Sequence, residues 1–397
     1  MNRFLLKNAT VYAEEGWIEN GCVLVEGEKI AYVGSNTFFP DVPTIELAPR
    51  YFLVPGFIDL HIHGAFGADV MDASMEALQT IVSRLPEEGT TSFLATTMTA
   101  PAEQIEQAVE NVARYMRYNV PGQSEVLGIH LEGPFLSPKR AGAQHPRDII
   151  EPNVALFQHW QQKANGNIRL VTLAPEENNG IALVSYLKEN DVIASIGHSD
   201  AGYEQVKKAI QAGVTHVTHL FNGMSGIHHR TPGVALAALM HEEVMCELIA
   251  DGIHVAPEMV WFAYKNKGKE GLVIITDSMR AKCFGEGEFG EGEYELGGQR
   301  VVVRNGKAML VDGTLAGSVL TLKQAVQNVI AFAKCSLEDA IHMASWNPAK
   351  QLGVLDRKGS IRTGKDADLV VLNETYEVVM TFCRGKLAYD RRGNRCE

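Results

Sequence analysis

The chain has 397 residues, a formal net charge of −12, 46% hydrophobic and 21% charged residues, the composition of an ordinary folded protein rather than a disordered one. With no run of Lys or Arg to track a phosphate backbone, nucleic acid is excluded as a partner, and an anionic small molecule needs a local cationic pocket. Six cysteines (Cys22, Cys246, Cys283, Cys335, Cys383 and Cys396) show no paired spacing, as expected in a reducing, cytoplasmic compartment.

Residues 1 to about 53 read as short strands, Leu5–Tyr12, Cys22–Val25 and Lys29–Val33, separated by glycine-containing turns. The early charges Arg3 and Lys7 argue against a signal peptide, and no window of ~18 apolar residues offers a membrane span. The far end has the same strand-and-turn character at Ala367–Leu372, Val378–Phe382 and Lys386–Tyr389. Neither end alone is long enough to bury a sheet face, so 1–53 and 357–397 are expected to meet in one small β-sandwich domain.

Between them, over 54–356, strands alternate with helical stripes. Eight strands are expected: Phe57–His63, Thr91–Thr96, Val126–Glu132, Ile168–Leu173, Val192–His198, His216–Phe221, Cys246–Ala250 and Leu272–Asp277. Met75, Leu78, Ile81, Val82 and Leu85 follow the first at helical spacing, and Ile105, Ala108, Val109, Val112 and Met116 follow the second. Asp200 is the expected N-cap of the helix after the fifth strand. Eight strands with helical crossovers read as an α/β fold, a (β/α)8 TIM barrel; no Gly-x-Gly-x-x-Gly follows an early strand to favour an open doubly wound sheet. A Gly/Glu-rich stretch and the Asn305-Gly306 turn predict a β-hairpin inserted around 285–312.

Barrel enzymes carry their chemistry at the C-terminal ends of the strands. Polar residues stand there on five of them: His61 and His63, Glu132, His198, His219 and Asp277. His61 and His63 are two apart and leave one face of an extended strand. Any one of the six is explained by a loop hydrogen bond or a helix cap, but all six at one end of one barrel form the ligand set of a paired metal site. Glu132 is able to bridge two ions. Imidazole with carboxylate suits a divalent transition metal (Zn, Fe, Co or Mn), as one or two ions. His216, three before His219, points to the other face and is expected to be structural; His130 reads as a core residue or one supporting the ligands, and His159, His241 and His342 as surface or packing residues. His228 and His229 receive no role, although with Arg230 they make a cationic patch in an acidic chain.

The stretches Pro55–Gly64, His130-Leu-Glu-Gly-Pro-Phe135, Ala141–Pro146, Gly197-His-Ser199, Thr218–Met224, Ala250–His254, Thr276–Ala281 and Leu315–Ser318 together resemble the amidohydrolase superfamily and, within it, the deacetylases of N-acetylglucosamine 6-phosphate. The resemblance implies hydrolysis of that sugar's acetamide to glucosamine 6-phosphate and acetate, in amino-sugar catabolism and cell-wall recycling. An N-acetylgalactosamine 6-phosphate deacetylase or another amide hydrolase of the superfamily is the alternative. It implies one metal on Glu132, His198 and His219, a second on His61 and His63 with Glu132 between, and Asp277 as general base at the metal. It further implies His145 near the scissile carbonyl, Asn222 and Gly223 lining the sugar pocket, Arg230 and His254 on the sugar phosphate, and a homodimer in which Arg230 reaches across the interface.

Overall fold

The computed structural model describes residues 3–35, 37, 39–287 and 290–392. Eight parallel strands, β1 (Phe57–Ile62), β2 (Thr90–Thr97), β3 (Glu125–Glu132), β4 (Ile168–Leu173), β5 (Ile193–Ile196), β6 (His216–Val217), β7 (Met245–Leu248) and β8 (Leu272–Ile274), pair in sequence order. The ring closes between the last and the first: Ile62 bridges Ser278 in parallel, and Asp277 N donates to His61 O at 2.8 Å. The crossovers are α1 (Met75–Arg84), α2 (Ala102–Tyr115), α3 (Val154–Lys163), α4 (Gly180–Glu189), α5 (Tyr203–Ala212), α6 (Val234–Met240) and α7 (Pro257–Lys267), with α8 (Leu322–Ala333) after β8. They bury the predicted stripes: Leu78, Ile81 and Val82 of α1 and Ile105, Val109 and Val112 of α2 are inaccessible and join one continuous core.

Two local expectations differ. Asp200 does not cap α5; its carboxylate accepts from Arg140 Nε at 2.9 Å, and Gly202 stands at the N-cap. The sixth strand, expected to run to Phe221, pairs only at His216–Val217. It stops because His219 and Phe221 take left-handed backbone, φ 31° and 80°, which no strand accommodates.

Both chain ends enter a single sheet, in which Val378–Cys383, Leu369–Leu372, Phe52–Pro55 and Arg3–Ala13 are consecutive. Phe382 and Phe4 lie three strand spacings apart along it, about 14 Å if the sheet were flat. Their rings stack with centroids 5.1 Å apart, so the sheet rolls over on an apolar filling that includes Leu6, Val25, Leu53 and Val371.

The stretch after β8 carries three antiparallel strands, Gly292–Leu296, Gln299–Arg304 and Lys307–Leu310, the last two joined at Asn305-Gly306. It lies over the barrel mouth, because Leu296, Val301, Val303 and Ala308 pack on Met98 and Met279. At its root, Lys282 is wholly buried and ion-paired at 2.8 Å to Glu88, which also accepts from Leu322 N at the start of α8. Glu88→Ala would strand that ammonium, a change that typically costs about 3–5 kcal/mol. A fall of that size in the free energy of urea unfolding is expected, and a loss below ~1 kcal/mol would refute the pairing as a stabilising contact.

Candidate metal centre and its cleft

Five barrel strands deliver a polar residue where the apolar ladder ends, and three of these residues leave it with strained backbone. His198, His219 and Asp277 have φ of 48°, 31° and 49°. Such conformations cost on the order of 1–3 kcal/mol each for residues with a side chain, and they persist only where the surroundings hold them. The holding bonds are present: Ser318 N donates to Asp277 O at 2.7 Å and Ser137 N to His198 O at 2.9 Å. The turn aims all three side chains inward over the strand ends.

There they meet Glu132. Its Oε1 lies 3.1 Å from His219 Nε2 and 3.4 Å from both His198 Nε2 and His61 Nε2, while its Oε2 lies 3.4 Å from His63 Nε2. The two pairs of rings are also close, His61 to His63 at 3.3 Å and His198 to His219 at 3.1 Å between Nε2 atoms. Asp277 Oδ1 stands 3.5 Å from His61 Nε2 and 3.3 Å from His63 Nε2. Two clusters of potential ligand atoms result, His61–His63–Glu132 and Glu132–His198–His219, sharing one carboxylate.

Whether these residues suit metal ions is decided by what holds their other ring nitrogens. A carboxylate or carbonyl oxygen only accepts, so its partner nitrogen carries the proton. His61 Nδ1 donates to Glu247 Oε2 at 2.9 Å, His198 Nδ1 to Arg140 O at 2.8 Å and His219 Nδ1 to Asn222 O at 3.1 Å. When neutral, all three rings therefore present an Nε2 lone pair to the centre, the arrangement of metal-binding histidines. His63 Nδ1 is buried without a partner. The donor set fits one or two divalent transition ions.

Electrostatics point the same way. Burial alone would lower His63, but the Asp277 and Glu132 carboxylates lift it to about 9. Glu132 is driven the other way: burial opposes its charge, yet His61 and its neighbours hold it well below the usual carboxylate range. The metal-free centre thus stores a proton that an ion must displace. A histidine whose folded pKa is raised contributes stability below its unfolded value of ~6.5 and loses it as pH rises through the folded one. Ion uptake near pH 7.5 is accordingly expected to release at least one proton and to tighten as pH approaches 9. Calorimetric titration in buffers of different ionisation enthalpy measures this, and a buffer-independent heat would contradict it.

Above the cluster is a cavity of about 220 Å³ lined by Glu132, His198, His219 and Asp277 together with Asn222, Gly223, His254, Gly142, Leu296 and Leu315. His254 is fixed by Asp251, whose carboxylate accepts from His254 Nδ1 at 2.6 Å. Burial would lower this imidazole too, but Asp251 carries it above its ordinary value. His145 does not line the cleft. Its Nε2 accepts from Arg147 at 2.9 Å, and the ring faces a neighbouring cavity of about 360 Å³ with Asp69 and Arg280. The residue beside it turns inward instead, Gln144 Nε2 donating to Glu132 Oε2 at 2.6 Å. Arg230 is exposed on the loop after β6, against His229, and also lies outside the cleft of its own chain.

Of the remaining histidines, His130 packs edge-on against His61 and bonds Thr172 at 2.7 Å, with burial lowering it to about 3, so it is neutral. His216 is buried against Glu247; His159 and His342 pair on the surface with Glu106 and Glu270, and His241 bonds Glu243. Sequence reasoning missed Gln144, Glu247 and Asp251. Glu247 carried a signal, an acidic residue inside the apolar run Met245-Cys-Glu-Leu-Ile-Ala250.

A model of the amidohydrolase family matches residues 52–388. This chain belongs to the amidohydrolase family. The N-acetylglucosamine-6-phosphate deacetylase of Bacillus subtilis is 48% identical over 97% of both chains. The N-acetylgalactosamine-6-phosphate deacetylase of Escherichia coli O157:H7 is 34% identical over 97% of this amidohydrolase and 99% of its own length. Among solved structures, an aspartate-to-alanine mutant of the N-acetyl-D-glucosamine-6-phosphate deacetylase of Mycobacterium smegmatis, in complex with N-acetyl-D-glucosamine-6-phosphate, superposes with a TM-score of 0.91 at 31% identity, covering 98% of this chain and 100% of that one. Among the described residues no helix is long and apolar enough to cross a membrane.

Proposed function

We propose that this amidohydrolase removes the acetyl group of N-acetylglucosamine 6-phosphate, giving glucosamine 6-phosphate and acetate. The observation that carries the reading is the convergence of Asp277 and four imidazole Nε2 atoms on Glu132, beneath a cleft bounded by Asn222, Gly223 and His254. Glu132, His198 and His219, with His61 and His63, would hold a divalent ion there, which would supply polarisation of the amide carbonyl and a water of pKa roughly 7 in place of 15.7. Asp277 Oδ1 takes the proton of the attacking water and returns it to the departing amine nitrogen, so one carboxylate serves as base and then as acid. His61 and His63 favour its charged form against the opposing effect of burial, which keeps it ready to accept. Asn222 and Gly223 contact the sugar, and His254, oriented by Asp251, presents Nε2 to its anionic end.

Arg230 completes the phosphate site from a second copy of the chain, in a homodimer. Its exposure away from the cleft of its own chain supports that assignment. The five described cysteines are free thiols, which supports a cytoplasmic location. Because of the Escherichia coli relative, the galacto epimer is the competing substrate. The test is acetate release from phosphorylated and unphosphorylated N-acetylhexosamines by metal-loaded protein. No acetate from N-acetylglucosamine 6-phosphate would sink the proposal, and a higher kcat/KM for the galacto epimer would reassign the substrate. Arg230→Ala should lower kcat/KM for phosphorylated substrates about 10- to 100-fold, the usual worth of a charged hydrogen bond, and leave unphosphorylated ones unchanged. Equal losses on both would contradict its role.

A further inference from the structure

Glu247 is a buried carboxylate below the centre that the reaction does not use. It lies on β7, is inaccessible to solvent, and accepts three hydrogen bonds. Oε2 receives His61 Nδ1–H at 2.9 Å and the backbone N–H of His219 at 3.1 Å; Oε1 receives His216 Nε2–H at 3.1 Å. Any three donors would satisfy a merely structural glutamate. Here two of them belong to ligand residues of different clusters, since His61 sits with His63 and His219 with His198.

We infer that Glu247 is a positioning residue that holds the His61 ring for the second ion and ties that subsite to the backbone of the first. The proposal rests on the two-ion reading of the centre. In the His61–His63 pair only His61 has its free nitrogen anchored, because His63 Nδ1 is buried without a partner. The lone pair of His61 Nε2 therefore faces the ions only while Glu247 keeps the proton on Nδ1. The same Oε2 holds the N–H of His219, a residue kept at φ 31°. Groups of this kind typically change metal affinity 10- to 100-fold when removed. His216, whose Nδ1 has no partner, serves as the third donor that fixes the carboxylate.

The test uses the full-length chain, stripped of metal and titrated with Zn²⁺ alone, as wild type, Glu247→Leu and Glu247→Gln. With Leu, the second ion should bind 10- to 100-fold more weakly and the first only a few-fold. With Gln, whose amide oxygen still accepts from His61, the second-ion loss should stay within about tenfold but be measurable. Nitrogen-15 spectra of the metal-free protein, recorded at a pH high enough to leave His61 neutral, give an independent reading: His61 should be a single Nδ1–H tautomer in wild type and the Gln variant, and a mixture in the Leu variant. The inference is overturned if second-ion affinity is unchanged in the Gln variant, if both ions weaken equally in either variant, or if His61 keeps one tautomer with Leu. The Gln variant decides the matter should the Leu chain not fold. Wild type taking up a single ion would instead remove the two-ion reading, while the tautomer of metal-free His61 still judges Glu247.

Discussion

Asp277→Asn should lower kcat about 10²- to 10⁴-fold, the range spanned by loss of a positioned general base, with KM and bound metal little changed. The asparagine is nearly isosteric, and the backbone bonds that hold position 277 at φ 49°, from its N to His61 O and from Ser318 N to its O, do not involve the carboxylate. What is lost is the capacity to take a proton beside His61 and His63 Nε2, 3.5 and 3.3 Å away. Glu132 does not substitute, because its two oxygens are already shared among four imidazoles and Gln144. The pH profile separates this role from a binding one. Burial would raise the Asp277 carboxyl, but His61 and His63 hold it below the ordinary carboxylate value, so it is ionised across roughly pH 5 to 9 and contributes no acid limb there. Single-turnover rates with metal-loaded protein check the prediction. A variant within tenfold of wild type would move the base elsewhere.

The distribution of what was legible in the sequence follows from the same geometry. The barrel could be read because each β/α unit is a local pattern: an apolar strand, then a stripe such as Leu78, Ile81 and Val82 buried on it. His61, His63, Glu132, His198, His219 and Asp277 could be read because each stands at or just beyond the end of an apolar run, where a polar residue breaks the pattern. Glu247 could not, since it lies within a strand and its meaning depends on β1 and the turn after β6, which bring His61 and His219 to it. His145 and Gln144 show why loop residues resist such reading. They are adjacent, yet the short helical turn Pro146–Asp148 and the bond to Glu132 send one side chain to a neighbouring cavity and the other to the centre. Strands five, six and eight were expected too long for a related reason. Their ends bend into left-handed backbone at His198, His219 and Asp277, a price in strain that no hydrophobic period records.

Glu132→Gln should have the opposite signature to Asp277→Asn, abolishing activity by emptying the centre rather than by removing a proton acceptor. Among the described residues Glu132 is the only side chain shared by both clusters, and its charge faces four Nε2 atoms that lie within 3.1 to 3.4 Å of its oxygens. Without it the two imidazole pairs keep their lone pairs but lose the anion between them. Removing one partner of a buried charged set costs about 3–5 kcal/mol, or roughly 10²- to 10⁴-fold in ion affinity. Gln144 would add to the loss, because its Nε2 donates to Glu132 Oε2 and faces either an amide nitrogen or a single oxygen in the variant. The metal-free proteins should differ as well. Without the Glu132 charge, His63 falls from about 9 toward its ordinary value, so stabilisation of the apo chain by that proton ends at a lower pH than in wild type. Elemental analysis after dialysis against buffered Zn²⁺ checks the first expectation, and thermal unfolding of the apo proteins across pH 6 to about 10 checks the second. A Glu132→Gln chain that retained two ions would show that the shared carboxylate is not what joins the two halves of the centre.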